Sequence, residues 1–357
     1  MLCQQVCPLQ PHFACTRDVQ AAQQTVADQD LLTVCADKEC IPTPSAKCRR
    51  NLKGHLGKVT CVHYGSEDNR TLVSGSLDSK LILWDTWTNN KIRIIPLQSS
   101  WTMTCCLSPD GQLIASGGMD NICTIHDTRS SEGAKVVREL LGFEGFLSCV
   151  RFVDEGRLLT SSADSNIFLW DLGTGTKVSQ FAGHANDVLS ISLADSKNAF
   201  VSGSVDDSSK VNMTLIKRSS NQLQFLTALG HPISDLPANV LGTFRRCERC
   251  PCEIIQVIPN LSNLYGYLDE TQMHPEGNVF ATASEDESCR MFDVRADQEL
   301  VRMGGSGCKY SSVALSISCR LLLAGGEDNK VHLFDCLKGI ETGRKGHHLK
   351  FIRNCNP

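Results

Sequence analysis

Four side chains in the first quarter of the chain have the types and spacing to form a relay of hydrogen bonds. Asp78 can accept a hydrogen bond from His55, and His55 can contact Ser74. Ser74 can in turn accept a hydrogen bond from the indole N–H of Trp84. Each of these polar groups needs a partner when it is buried, so the set would fix how neighbouring strands stack. We therefore predict a structural role for these residues.

A second group of residues that could do chemistry is a set of closely spaced cysteines. Cys247, Cys250 and Cys252 form a Cys-x2-Cys pair with one further thiol. Structural zinc takes four ligands, and neither His231 nor His274 stands at a motif spacing that would complete the set. We expect a solvated loop here, with a zinc-binding or nucleic-acid-binding module at 245–252 as an alternative.

Motifs for catalysis and phosphate binding are weak in this sequence. The glycine-rich stretches Gly173–Lys177 and Gly304–Gly307 lack a strand-to-helix context, so we expect a hairpin turn and a loop. Paired carboxylates with a pocket, a nucleophile elbow and a metal dyad are not evident. We therefore predict no enzyme activity, no catalytic residues, no cofactor and no metal.

The strands that would position the relay recur along the chain. Val73–Asp85 has the alternation and turn residues of a strand, a tight turn and a second strand. Five aspartates precede an aromatic or imidazole residue by six positions: Asp78 before Trp84, Asp120 before His126, Asp164 before Trp170, Asp286 before Phe292 and Asp328 before Phe334. Asp206 lies in a similar stretch, Ser202–Asp206, and a Gly-His pair at His184 matches the one at His55.

The spacing of these aspartates predicts the fold class. The steps 78→120, 120→164, 164→206 and 286→328 are 42, 44, 42 and 42 residues. A period of 40–45 residues with Gly-His before Trp-Asp is typical of WD40 repeats, in which each repeat forms one four-stranded blade. We predict an all-β WD40 β-propeller.

The repeat also divides the chain into segments. We predict a coil or tail at 1–48, a propeller at 49–338 and an irregular tail at 339–357. Asp206 and Asp286 are 80 residues apart, so 208–272 is either a degenerate extra blade or an irregular insertion. The pair Gly230-His231 would suit the start of a fifth blade. Only 22 residues follow Asp335, whereas a further blade needs roughly forty.

Composition excludes several kinds of partner and compartment. The 357 residues carry a net charge of −4, which gives no overall basic surface for nucleic acid. No apolar run approaches the roughly 18 residues of a membrane span, and the N-terminus lacks the pattern of a secretory signal. We therefore expect the 19 cysteines to be reduced, with several acting as small buried hydrophobic residues: Cys105, Cys106, Cys149 and Cys289.

Taken together, the chain resembles the beta subunit of heterotrimeric G proteins over roughly 47–209 and 273–338. The resemblance rests on Leu52–His55, Trp84–Lys91, Ile95–Thr104, Gly117–Cys123 and, above all, Phe292–Leu300. Within that family, the invertebrate photoreceptor (eye-type) form is most similar, on the residues Trp87, Gly142–Ser148 and Gly203–Asp206. The resemblance implies a seven-bladed propeller, here with an irregular middle segment and an incomplete last blade, preceded by an N-terminal coil or helix.

The resemblance also implies partners and a location. A beta subunit pairs with a gamma subunit through its N-terminal coil and outer blades. One propeller face binds the GDP form of the alpha subunit, and after nucleotide exchange that face is free for effectors, so that receptor signals are transmitted, with phototransduction as one setting. The implied location is cytoplasmic and peripheral at the inner face of the plasma membrane, with membrane contact only through lipidated partners.

Two sets of contact residues follow from the resemblance. The face for the alpha subunit and effectors is expected at Lys58, Trp101, Met103, Met119, Phe146, Asp187 and Leu189. The N-terminal helix of the alpha subunit is expected to contact the side of the first blade at Leu56, Lys80, Ile82, Asn90 and Lys91. Tryptophan, methionine and phenylalanine rimmed by charge are typical of binding hot spots.

The chain departs from the family pattern at three places. Thr60 stands where the family usually has tyrosine on the contact face, and Pro8 and Pro11 interrupt a short N-terminal segment. The last Gly-His to Trp segment, which closes the ring and carries contact residues, has no counterpart. Two alternatives therefore stay open: a general WD40 protein-interaction scaffold, or a non-functional truncated variant in which 208–272 and 339–357 come from non-coding sequence.

Overall fold

The computed structural model describes eleven stretches of the chain: 31–35, 37–41, 50–65, 70–129, 135–214, 244–246, 253–257, 268–295, 298–305, 307–346 and 355–356. These residues form six β-sheets and a helix of four residues, α1 (Leu31–Val34). Within them, no helix is long and apolar enough to cross a bilayer.

Each sheet has a meander of antiparallel strands as its basis. The first three sheets contain β1 (Val59–Tyr64), β2 (Thr71–Ser76), β3 (Lys80–Asp85) and β4 (Lys91–Pro96); β5 (Thr102–Leu107), β6 (Leu113–Gly118), β7 (Cys123–Asp127) and β8 (Lys135–Leu140); and β9 (Leu147–Phe152), β10 (Arg157–Ser162), β11 (Asn166–Asp171) and β12 (Thr176–Ala182). The fourth sheet contains β13 (Val188–Leu193), β14 (Ala199–Ser204), β15 (Ser209–Thr214), β16 (Phe244–Arg246) and β17 (Glu253–Val257), in the order β13-β14-β15-β17-β16. The last two contain β18 (Leu268–Met273), β19 (Val279–Ser284), β20 (Ser288–Asp293) and β21 (Gln298–Gly304); and β22 (Tyr310–Leu315), β23 (Leu321–Gly326), β24 (Lys330–Asp335) and β25 (Ile340–Gly346).

The first strands of successive sheets lie side by side, from β1 through β5, β9, β13 and β18 to β22. Side chains bridge these strands. The Val150 main-chain N–H donates to Thr104 Oγ1 over 3.2 Å. The Leu107 N–H donates to His63 Nδ1 over 3.2 Å. This stacking of four-stranded units is the arrangement of propeller blades, and it confirms the predicted fold class. A short strand, β26 (Cys355–Asn356), pairs in parallel with β1 and also contacts β22.

The repeated aspartates lie in the turns between the second and third strands of each sheet. The residue after each aspartate has a positive φ, between 58° and 65°, at Ser79, Asn121, Ser165, Asp207, Glu287 and Asn329. The Asn166 N–H donates to Asp164 Oδ1 over 3.0 Å. The same contact, over 3.0–3.4 Å, is made at Asp120, Asp206, Asp286 and Asp328. An aspartate that binds the main chain two residues on stabilises such a turn, which explains why the residue recurs with the repeat.

The long interval between Asp206 and Asp286 does not place another blade between the fourth and fifth sheets. Ser190 of β13 and Thr271 of β18 are in direct contact, with their hydroxyl oxygens 3.1 Å apart. The extra-blade alternative is therefore wrong. Regular strands occupy more of the predicted irregular segment than we expected. Both β15 and β18 belong to blades, and β17 pairs with β15 as the fourth strand of its sheet. Gly230-His231 lies outside the described residues.

Apolar side chains and thiols fill the space between sheets. Cys106, Leu147 and Trp170 belong to one buried cluster that joins the second and third sheets. The four cysteines that we predicted to be buried, Cys105, Cys106, Cys149 and Cys289, are at most 2% exposed. Four further buried cysteines among the described residues are free thiols: Cys61, Cys123, Cys308 and Cys336.

Candidate functional site

The hydrogen-bond relay predicted for the first sheet is formed. His55 Nδ1 lies 3.1 Å from Asp78 Oδ2, and His55 Nε2 lies 2.8 Å from Ser74 Oγ. The Trp84 indole N–H donates to the same Ser74 oxygen over 2.8 Å. Burial raises the pKa of Asp78, but hydrogen bonds from the Leu56 main chain and from His55 outweigh burial and hold this pKa below its usual value.

The fourth sheet contains the same relay without its tryptophan. His184 Nδ1 lies 3.0 Å from Asp206 Oδ2, and His184 Nε2 lies 2.9 Å from Ser202 Oγ. Asn212 takes the tryptophan position and places its amide nitrogen 3.5 Å from Ser202 Oγ. Burial lowers the pKa of His184 in spite of the opposing hydrogen bond to Asp206, so the neutral ring is favoured.

The third sheet replaces the histidine of the relay by Phe143. This ring packs against Phe168 and Trp170, with centroid distances of 5.6 and 5.3 Å. Lys177 Nζ lies 3.8 Å from the Phe168 ring centroid, which is a cation–π contact. Asp164 keeps its place in the turn and accepts a hydrogen bond from the Glu144 main chain over 3.2 Å.

In the fifth and sixth sheets, the third strand supplies a cationic or imidazole partner for the turn aspartate. Arg290 Nη2 lies 2.7 Å from Asp286 Oδ2, and His332 Nε2 lies 3.2 Å from Asp328 Oδ1. We missed these partners in the sequence. The signal was present, because the fourth residue after the aspartate is basic or imidazole in the last three sheets, at Lys210, Arg290 and His332, but not in the first three, at Ile82, Thr124 and Phe168.

Four of the predicted docking residues occupy equivalent positions at one end of the sheets. In the first four sheets, the residue before the first strand accepts a main-chain hydrogen bond from the residue after the second strand, over 2.9–3.1 Å. The acceptors are Lys58, Trp101, Phe146 and Asp187, and the donors are Leu77, Met119, Ala163 and Val205. These positions define a rim face shared by the sheets, and Lys309 and Glu327 continue it in the sixth.

Two more docking residues, Met103 and Leu189, stand at β-bulges of the first strands on the same rim. Thr60 and Ser148 occupy the equivalent bulges of the first and third sheets. The Thr60 hydroxyl donates to the Thr102 carbonyl oxygen over 2.5 Å, and Ser148 makes the same kind of bond to the next sheet. Threonine at position 60 thus joins neighbouring blades, where the resemblance implied a tyrosine on the contact face.

The rim face carries an apolar sector at the second and third sheets, formed by Trp101, Met103, Met119 and Phe146. The side chains of Trp101 and Met119 are 54% and 53% exposed, and those of Met103 and Phe146 are partly buried. Lys58 on one side of this sector is exposed, and Asp187 and Leu189 on the other are partly exposed. Large exposed apolar residues rimmed by charge are typical of a protein-binding surface.

The predicted contact on the side of the first sheet needs one correction. Ile82 is only 1% exposed, because it belongs to the buried interior, so it is not part of any contact surface. Leu56 is 89% exposed. Asn90 and Lys91 are exposed, and Lys80 is partly buried. The cysteines at 247, 250 and 252 lie outside the described residues.

Comparison with known proteins agrees with this geometry. The family described as "G protein beta WD-40 repeat protein" matches residues 10–239, which is more than half of the chain. The chain belongs to this G-protein beta family. Its similarity extends to "Guanine nucleotide-binding protein G(I)/G(S)/G(T) subunit beta-1" of Homarus americanus, with 46% identity over 191 residues, 53% of this chain and 56% of that protein.

A second relative of the family is "Guanine nucleotide-binding protein subunit beta-1" of Caenorhabditis briggsae. It is 45% identical over 186 residues, which are 52% of this chain and 54% of that protein. The chain thus spans about half the length of both of these curated relatives. The family match includes all seven residues predicted for the rim face.

Proposed function

We propose that this chain acts as the beta subunit of a heterotrimeric G protein and binds the GDP form of an alpha subunit on its rim face. The observation that carries the proposal is the apolar sector in which Trp101 and Met119 are each about half exposed. Burying an exposed tryptophan and a methionine at the centre of an interface is a common source of binding energy. Lys58 and Asp187, on opposite sides of the sector, would orient the partner through charge.

A gamma subunit would bind at the N-terminal segment and the neighbouring outer strands. The described residues 31–35 and 37–41 contact the sixth sheet: Lys338 Nζ donates to the Cys35 carbonyl oxygen over 3.0 Å, and the Ile41 N–H donates to Asp335 Oδ2 over 3.2 Å. These two contacts support a gamma site near the sixth sheet. In this proposal the protein acts as a scaffold for receptor signalling and not as an enzyme, and it reaches the inner face of the plasma membrane only through lipidated partners.

The dependence of binding on nucleotide tests the proposal. The full chain, co-expressed with a gamma subunit, is captured on a surface, and its affinity for an alpha subunit is measured with GDP and with a non-hydrolysable GTP analogue. We expect co-purification with gamma and at least tenfold tighter binding of the GDP form. Equal affinity for the two forms would instead indicate a general WD40 interaction scaffold, and the absence of binding to either form would contradict the proposal.

A further inference from the structure

One cluster of side chains at the end of the sixth sheet has no role in the function proposed above. Cys308 Sγ, a carboxylate oxygen of Asp328 and a ring nitrogen of His332 all lie within 4.8 Å of one another. Cys308 stands directly before the rim residue Lys309, Asp328 is the turn aspartate, and His332 belongs to β24. The three side chains therefore come from three separate elements of one blade.

The contacts of His332 point to a positive charge inside this cluster. Its side chain is completely buried, with Nδ1 3.0 Å from Glu341 Oε1 and Nε2 3.2 Å from Asp328 Oδ1. A carboxylate only accepts hydrogen bonds, and a neutral imidazole carries a single N–H. When Nδ1–H donates to Glu341, the lone pair of Nε2 faces the oxygen of Asp328. A proton or a metal ion between these two atoms removes the repulsion.

The absence of a side chain at Gly326 favours a metal ion over a proton. A β-carbon placed on Gly326 would lie 2.7 Å from Asp328 Oδ1, 2.7 Å from Cys308 Sγ and 3.0 Å from His332 Nε2. The three donor atoms thus converge beside a backbone that leaves the space between them open. At the equivalent place, the first, fourth and fifth sheets have serines that bind the main chain of the turn aspartate: Ser76, Ser204 and Ser284.

We propose that Cys308 Sγ, His332 Nε2 and the Asp328 carboxylate bind one Zn²⁺ ion. A thiolate, an imidazole and a carboxylate are the ligand types that zinc uses, and three protein ligands with water in the fourth place form a common zinc site. Glu341 holds the other ring nitrogen of His332, which is the usual arrangement around a zinc-bound histidine. The Asp328 side chain is 27% exposed, so water can reach the fourth position.

The test counts bound metal in the full chain. Cys247, Cys250 and Cys252 are first replaced by serine, because these thiols could bind zinc themselves. The stripped protein is titrated with Zn²⁺ and then with Co²⁺, whose thiolate charge-transfer and d–d absorption report a cysteine ligand in a tetrahedral site. We expect one equivalent of either metal, and loss of that equivalent and of the cobalt spectrum in Cys308→Ala and in His332→Asn.

The matched control is Cys319→Ser, which changes a partly buried thiol in a different turn of the same sheet. This variant should keep the full equivalent of metal. A second series uses Gly326→Ala, which fills the space between the three donors and should abolish the rise in melting temperature that Zn²⁺ produces in the triple-serine parent protein. Absence of bound metal in this parent, or the same stoichiometry and cobalt spectrum in Cys308→Ala, would overturn the proposal.

Discussion

The Met119 main-chain N–H donates to the Trp101 carbonyl oxygen over 3.1 Å, and this bond places the two most exposed apolar side chains of the rim face next to each other. The approach of the two backbones is close, because a β-carbon on Gly118 would lie 1.9 Å from the Trp101 oxygen. A glycine in β6 therefore sets the geometry of the apolar sector.

The first prediction concerns this close approach. Gly118→Ala forces the Trp101 segment to move, so we expect the free energy of unfolding to fall by about 1–3 kcal/mol. Urea denaturation followed by circular dichroism measures the change. Gly156→Ala is the control, because a β-carbon there meets only an Asp154 side-chain oxygen at 3.7 Å, and it should cost less than about 0.5 kcal/mol. Equal stabilities of the two variants would contradict the proposed constraint.

The second prediction tests whether the fourth and fifth sheets are neighbours. The Thr271 main-chain N–H donates to Ser190 Oγ over 3.0 Å, and the two hydroxyl oxygens are 3.1 Å apart. Ser190→Ala leaves a buried N–H without its acceptor, so we expect a loss of about 1–3 kcal/mol of stability. A double-mutant cycle with Thr271→Val should give a coupling energy of at least about 0.5 kcal/mol. Strictly additive effects would mean that the two strands are not in contact.

The third prediction concerns acid stability. The described residues offer no hydrogen-bond partner to either ring nitrogen of His126, and burial lowers its pKa to about 4. The unfolded chain protonates this ring near its usual pKa of about 6.5, whereas the folded protein does so only near pH 4. The unfolded state therefore binds more protons in this window, and stability is lost as the pH falls through it, by up to about 3 kcal/mol.

His126→Phe measures the contribution of this ring. Phenylalanine already occupies the equivalent position in the fifth and sixth sheets, at Phe292 and Phe334. We expect the variant to lose about 2 kcal/mol less stability than the unchanged protein between pH 7 and pH 4.5. A residual slope should remain, because burial, aided by Arg151, lowers the pKa of His63 to about 3. Parallel stability curves for the two proteins would show that His126 already has a normal pKa in the folded state.

The repeat and its turns could be predicted from the sequence because they depend on local chemistry. Asp78 and the aspartates spaced 42–44 residues apart mark turns whose geometry is set within a few residues. The relay of His55, Ser74 and Trp84 also followed, since its members stand at the spacing of a WD40 repeat. These features need no knowledge of how one sheet packs on the next.

Contacts between sheets and strands were harder to predict. Ile82 lies in β3, next to the edge strand β4 of the first sheet, yet it is only 1% exposed. Strand β17 pairs with β15 although a long stretch of chain separates the two, and the repeat gives no signal for this pairing. The Arg290–Asp286 pair was missed because a basic residue in a strand usually indicates a solvated face. The first two of these outcomes depend on long-range packing, whereas the Arg290–Asp286 pair is local, between residues four positions apart.

The affinity of the rim face for the GDP form of an alpha subunit tests the central claim most directly. Trp101→Ala is compared with Ile317→Ala, since Ile317 is also well exposed, at 85%, but lies in the turn between β22 and β23 at the opposite end of its sheet. We expect Trp101→Ala to raise the dissociation constant at least about tenfold, as for a hot-spot tryptophan, and Ile317→Ala to change it less than about twofold. An unchanged affinity in Trp101→Ala, in a protein that is still folded, would contradict the rim face as the docking surface.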